Sequence, residues 1–160
     1  MIWLVVLIIL LAFQFVVLFF GAPYVPTRRA QRETALDLLN LKAGQTLVDL
    51  GCGDGAMLIA AARRGINAVG YEINPVLAVI AWLRTRRFGK KVKIVQGNFW
   101  HKKWPPTDAI FVFLTHRYME RLHQNMQKRF NHPVKLVTYG FSIPNKKPKA
   151  SREACFLYKY

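Results

Sequence analysis

Acidic side chains are scarce in this chain: eight Asp and Glu stand against twenty-four Lys and Arg, a formal net charge of +16 over 160 residues. The first twenty-two residues carry no charged side chain at all, so the whole charge lies in residues 28–160. Cysteine is nearly absent. Cys52 and Cys155 are too few and too far apart for a disulfide framework, which fits a reducing compartment. Repeats and low-complexity tracts are also missing, and the length suits about one domain. The four histidines (His101, His116, His123, His132) lack nearby carboxylate or thiolate partners, so they read as surface side chains and no metal site is expected.

One absence is local. The run Leu47-Val48-Asp49-Leu50-Gly51-Cys52-Gly53-Asp54-Gly55 has the form of a buried strand, a carboxylate and a glycine turn opening a helix. A dinucleotide site would continue as G-x-G-x-x-G, but Ala56 stands where the third glycine belongs. Asp49 and Asp54 flank the turn, and negative charge there opposes a pyrophosphate. It suits a ligand bearing an ammonium and a sulfonium. Twenty-three residues after Asp49, Glu72 ends a second strand-like run, where an acid binds ribose hydroxyls.

What is plentiful is apolar surface at the N-terminus. Ile2 to Phe20 is nineteen residues interrupted only by Gln14. As a helix it would span roughly 28 Å, near the hydrocarbon thickness of a bilayer. No basic n-region precedes it, which argues against a cleaved signal peptide. Arg28, Arg29 and Arg32 follow at once and predict a single-pass anchor with the folded domain on the cytoplasmic (or, in an organelle, matrix) side. The expected organisation is an anchor over 1–22, a linker and helix over 23–45, and the main domain over 46–160.

The rest alternates between strands and helices. Strands are expected at Thr46–Leu50, Asn67–Tyr71, Val92–Gln96, Asp108–Leu114, Val134–Tyr139 and Ala154–Tyr160. Helices are expected at Ala30–Leu41, Asp54–Arg64, from Pro75 to about Phe88, and at Arg117–Phe130. Asn74 caps the third helix, which runs through Val76, Val79, Ile80 and Leu83. This pattern predicts an α/β fold with a mostly parallel sheet and an antiparallel last strand. Residues Asn145 to Arg152 read as a basic loop. Arg84, Arg86, Arg87, Lys90, Lys91 and Lys93 form a basic stripe, either a phosphate-binding surface or charges complementing a helix C-terminus. The segment Asn98 to Trp104 mixes aromatics and cations, and either dips into a membrane interface or packs Trp100 over the sheet.

The motif D-L-G-C-G-D-G resembles motif I of the class I S-adenosylmethionine (SAM) methyltransferases. Together with Tyr24-Val25-Pro26-Thr27 and Gly70-Tyr71-Glu72-Ile73-Asn74-Pro75, it resembles the protein-lysine methyltransferase family that acts on the ATP synthase c subunit and the adenine nucleotide translocase. It is also similar to archaeal broad-specificity protein-lysine methyltransferases. The resemblance implies a Rossmann-like fold, reduced at its C-terminal end, with SAM as cofactor. It implies a cofactor site of Tyr24, Thr27, Asp49, Gly51, Cys52, Gly53, Asp54, Gly55, Glu72, Ile73, Asn98, Phe99 and Leu114. Asn98 replaces the usual aspartate, and its amide oxygen can still accept a hydrogen bond. Thr115, with His116 beside it, falls where the methyl acceptor arrives. The expected activity is lysine N-methylation of a protein, with the apolar segment and the basic surface holding a membrane. Nucleic-acid methylation is the enzymatic rival suggested by charge. The residues Leu114-Thr115-His116-Arg117 replace the Asn/Asp-Pro-Pro-Tyr/Phe that would hold a flipped base. A phospholipid methyltransferase and a non-catalytic SAM-fold scaffold are the remaining alternatives.

Overall fold

The computed structural model describes residues 2–5, 7, 8 and 25–160. The expected membrane span falls almost wholly outside these residues. Among the described residues no helix is long and apolar enough to cross a membrane.

Seven strands form one sheet: β1 (Thr46–Leu50), β2 (Asn67–Glu72), β3 (Val92–Gln96), β4 (Ala109–Val112), β5 (Lys135–Tyr139), β6 (Ala150–Arg152) and β7 (Cys155–Lys159). Their spatial order is β3-β2-β1-β4-β5-β7-β6. The first five are parallel, and β7 lies antiparallel between β5 and β6. Order reverses between β1 and β4, which opens a crevice at the strands' carboxyl ends.

The strands alternate as a doubly covered sheet requires. Leu47 of β1 and Phe111 of β4 face one core, with Leu36, Leu39, Leu58 and Ala81. Val48, Leu50, Ile110 and Val112 face the other, with Met119, Leu122 and Met126. Helices α1 (Arg29–Leu39), α2 (Ala56–Arg63) and α3 (Pro75–Thr85) thus cover one face, and α4 (Met119–Arg129) covers the other. Helix α1 belongs to the packed body. Lys135 Nζ donates to Leu39 O at 2.6 Å, and Thr34 Oγ1 donates to Glu153 Oε2 at 2.8 Å.

Three expectations are corrected. Thr27, whose residue type and place before the first helix suggest an N-cap, does not cap α1, whose N-cap is Arg28 without a side-chain bond. The basic loop over 145–152 contains β6, a three-residue edge strand whose exposed positions show no alternation to read. The third helix ends at Thr85 and continues as 3₁₀ turns over Arg86–Lys91, broken at Gly89 (φ 55°, ψ −131°).

The apolar ridge of α3 also faces outward. Val76, Val79, Ile80, Trp82 and Leu83 are exposed, whereas Ala78, Ala81 and Thr85 are buried. The reason is close approach. A Cβ added at Gly55, at the start of α2, would stand 3.3 Å from Ala81 Cβ and from Thr85 Cγ2. Only small side chains fit between α3 and the glycine turn, so the large ones turn away.

Candidate cofactor and acceptor cleft

The turn between β1 and α2 is tied to the next strand. Gly51 N–H and Cys52 N–H both donate to Tyr71 O at 2.9 Å. Gly51 (φ 97°) and Gly53 (φ 54°) hold left-handed conformations that a side chain would strain. Glu72 then braces the turn from β2. Its Oε2 accepts from Gly53 N–H and its Oε1 from Asn74 N–H, each at 2.8 Å. Asn74 in turn caps α3, with Oδ1 accepting from Val76 N–H and Leu77 N–H.

These elements frame a cleft of about 640 Å³ at the carboxyl ends of the strands. That size suits a nucleoside-bearing cofactor. Of the residues expected in the site, Thr27, Asp49, Gly51, Cys52, Gly53, Asp54, Glu72, Ile73, Asn98, Phe99, Leu114 and Thr115 line it. Gly55 does not; it is the contact point with α3. His116 is exposed outside the lining, its ring edge-on to Phe141 at 6.3 Å between centroids. Tyr24 lies outside the described residues.

The carboxylates have different settings. Asp54 is engaged: its Oδ1 caps Ala56 N–H, and its other oxygen pairs with Arg84 of α3. Asp49 is buried on the cleft wall, and no described side chain forms an ion pair or hydrogen bond with it. Burial, and next the charge of Glu72, push its carboxyl up to about 8. A buried acid on a cleft wall, with no described cation paired to it, is suited to a cationic ligand. Burial also pushes the Cys52 thiol up, so it is a lining group and not a nucleophile.

Several lining residues were not legible as site residues. Trp100, Tyr118, Arg121 and Phe141 gather with Thr115 at the β4–β5 end of the cleft. Trp100 and Tyr118 stand 6.2 Å apart, and the Arg121 guanidinium lies over Trp100 at 4.4 Å. Arg121 is exposed as well as lining the cleft, and only its place in the first turn of α4, after a strand's carboxyl end, signals the cleft. Trp100 and Trp104 pack, partly buried, over the sheet on the α4 side, as the second of the two readings of that segment expects. Thr115 Oγ1 is buried with no hydrogen-bond partner.

Glycine turn, bracing acid, partnerless aspartate and strand order together define a class I SAM-dependent methyltransferase domain. The structure of a Salinibacter ruber RNA methyltransferase in complex with S-adenosyl-L-homocysteine is similar, with TM-score 0.77 and 25% identity, over 85% of this chain and 92% of that one. The family described as the ANTKMT methyltransferase domain matches residues 49–150, and the chain belongs to it. It is 30% identical over 128 residues to the human (Homo sapiens) lysine N-methyltransferase of the ATP synthase c subunit, covering 79% of this chain and 54% of that protein. It is 29% identical over 131 residues to a protein-lysine N-methyltransferase of Saccharolobus islandicus (strain REY15A), covering 79% and 81%. The chain spans about half the length of most of the curated relatives it matches.

Proposed function

We propose that this chain is a protein-lysine N-methyltransferase working on a membrane protein, tethered by its apolar N-terminal segment with the domain on the cytoplasmic or matrix side. The observation that carries the chemistry is the buried Asp49 carboxyl, without a described side-chain partner, on the wall of a cleft whose lining also includes Thr115, Trp100, Tyr118 and Phe141. The relatives act on lysines of proteins, as their names state.

The residues present fit SAM. Asp49 would hold the methionine ammonium, the Gly51–Gly53 backbone would lie along the methionine, and Glu72 would take the ribose hydroxyls with the lone pairs left over from its two backbone bonds. Asn98 and Phe99 would bound the adenine. When bound, SAM supplies a methyl group on a sulfonium, open to in-line attack. The chain's own task is to deliver a neutral amine in line. Trp100, Tyr118 and Phe141 strip water from an entering lysine, which favours its uncharged form. Arg121 at the same end repels an ammonium and acts in the same direction. Thr115 Oγ1, buried without a partner, would accept one amine N–H after a turn of its side chain toward the cleft and so aim the nitrogen lone pair. Alignment and desolvation then supply the rate without a dedicated base, and the lost proton leaves to water.

Labelled SAM incubated with the full chain and membranes, followed by identification of the modified residue, tests the reading. Label on lysine is expected. Thr115→Val is expected to lower kcat about tenfold or more while leaving SAM affinity within about twofold, the pattern of a lost orienting bond. The second reading is nucleic-acid methylation, favoured by the +16 charge and the RNA methyltransferase neighbour. Label on RNA with none on protein would establish it instead.

A further inference from the structure

A second cavity, about 370 Å³, lies behind the glycine turn, between α1, α2 and the end of α3. Five arginines line it: Arg29, Arg32, Arg63, Arg84 and Arg87. Glu33 lines it too, paired with Arg64, and of the five arginines Arg84 is paired with Asp54, so cations outnumber the acid five to one in the lining. A cavity walled by guanidinium groups, with no aromatic surface for base stacking, is suited to a compact phosphate rather than to a nucleic-acid strand.

Beside it runs the outward ridge of α3. Val76, Val79, Ile80 and Leu83 fall on one helical stripe, with Val79 56% exposed, and Trp82 is 57% exposed at its flank. Arg86, Arg87, Lys90, Lys91 and Lys93 follow directly. An apolar stripe with a tryptophan and a dense basic end has the composition of an interfacial helix on an anionic leaflet. Arg29, which shares the cavity with Arg87, stands nine residues after the apolar segment ends at Phe20.

We propose that α3 and the arginine cavity form one lipid-facing surface: the ridge lies in the headgroup region of an anionic bilayer and the cavity takes a lipid phosphate. This rests on the tether reading but not on any methyl acceptor. The orientation would bring Ile73 and Leu77, at the start of α3 and on the cleft wall, toward the membrane plane.

The test is spin labelling of the full chain. Both native cysteines are buried, and burial pushes the Cys155 thiol up to about 11, so labelling goes to an introduced site. Val79→Cys is compared with Lys128→Cys, an exposed position on α4 across the sheet. Each labelled protein is examined in neutral detergent, in phosphatidylcholine vesicles, and in vesicles that also contain phosphatidylglycerol. Partition into vesicles is measured first, so failure of the tether is seen separately from failure of this proposal.

In anionic vesicles the Val79 label should gain oxygen collisions and lose nickel-chelate collisions at least twofold relative to Lys128. Arg63→Gln with Arg87→Gln should return it toward aqueous values. A chain that partitions while its Val79 label stays as open to nickel as Lys128 overturns the proposal. A label shielded equally in detergent overturns it in favour of the chain's own apolar segment on α3, and spin–spin broadening in favour of a second copy. Equal immersion in neutral vesicles, or no effect of the arginine substitutions, overturns the phosphate assignment. Inorganic phosphate that occupies the cavity with no gain from lipid assigns it to a soluble anion.

Discussion

Asp49 is the residue on which the proposed cofactor site turns. Its carboxyl is held near 8 in the ligand-free protein, against 3.8 for the free side chain, chiefly by burial. The raised value means that the folded state keeps a proton that the unfolded chain gives up. The resulting stabilisation is complete below about pH 4 and is lost as pH rises through about 8. Asp49→Asn should therefore raise the melting temperature of the ligand-free protein at pH 8 and flatten its dependence on pH. The same substitution should weaken SAM binding roughly ten- to a hundredfold, the scale of a lost charge-assisted hydrogen bond. For the natural protein, calorimetry near pH 7 in buffers of different ionisation heat should detect proton release on binding, because the ligand's ammonium favours the ionised acid. No release would mean that another group receives the ammonium. The acid was legible in the sequence from its place before the glycine turn. Its isolation was not, because that depends on Asp54 being drawn away by Arg84, thirty residues on in the sequence.

At the scale of elements, sequence pattern located β1 to β5, β7 and the four helices to within a few residues, because each has a continuous apolar run or a clear cap. Asn74-Pro75 at the head of α3 is the best example. The pattern failed where tertiary contact overrides hydrophobicity. The periodic Val76, Val79, Ile80 and Leu83 suggest a core face, yet the glycine turn admits only the alanines opposite. Gly70 belongs to the same contact. A Cβ there would come within 2.5 Å of Leu58 Cδ1 and 2.6 Å of Cys52 Sγ, so β2 must carry glycine for α2 and the turn to seat. Strand β7 lies within the expected Ala154–Tyr160 and is antiparallel as expected, but its hairpin partner β6 was missed for a different reason. The turn residues between them, Glu153 (φ 49°) and Ala154 (φ 59°), occupy left-handed backbone without the Asn-Gly signature of such turns. Ala154→Gly should relieve that conformation and stabilise the protein by about 0.5–1 kcal/mol, seen as a rise of a few degrees in melting temperature. Glu153 should be left in place, since it receives the Thr34 hydroxyl and ties the hairpin to α1.

For the whole molecule, charge and apolar sequence were legible and their arrangement was not. Composition shows +16 and an apolar N-terminus. The fold sorts the cations into the arginine cavity, the end of α3 and the rim of the cleft, on and between faces that lie far apart in sequence. A chain without residues 1–22 is expected to leave the membrane fraction in a high-salt wash, when screening has removed the attraction of the basic surface. At low ionic strength it should retain weak binding to anionic vesicles. Persistence on membranes at high salt would show that the α3 ridge holds the bilayer without the anchor.

Ala56 belongs to the walls of both cavities, and the Arg84–Asp54 pair joins them across the same turn. The two compartments thus meet at this turn. If a phosphate draws Arg84 from Asp54, the freed carboxylate adds negative charge beside the place of the methionine ammonium. Linkage makes such a coupling symmetric: a surface that tightens the grip on SAM must be gripped more tightly by the loaded protein. Cofactor supply would then bias how long the domain dwells on the lipid.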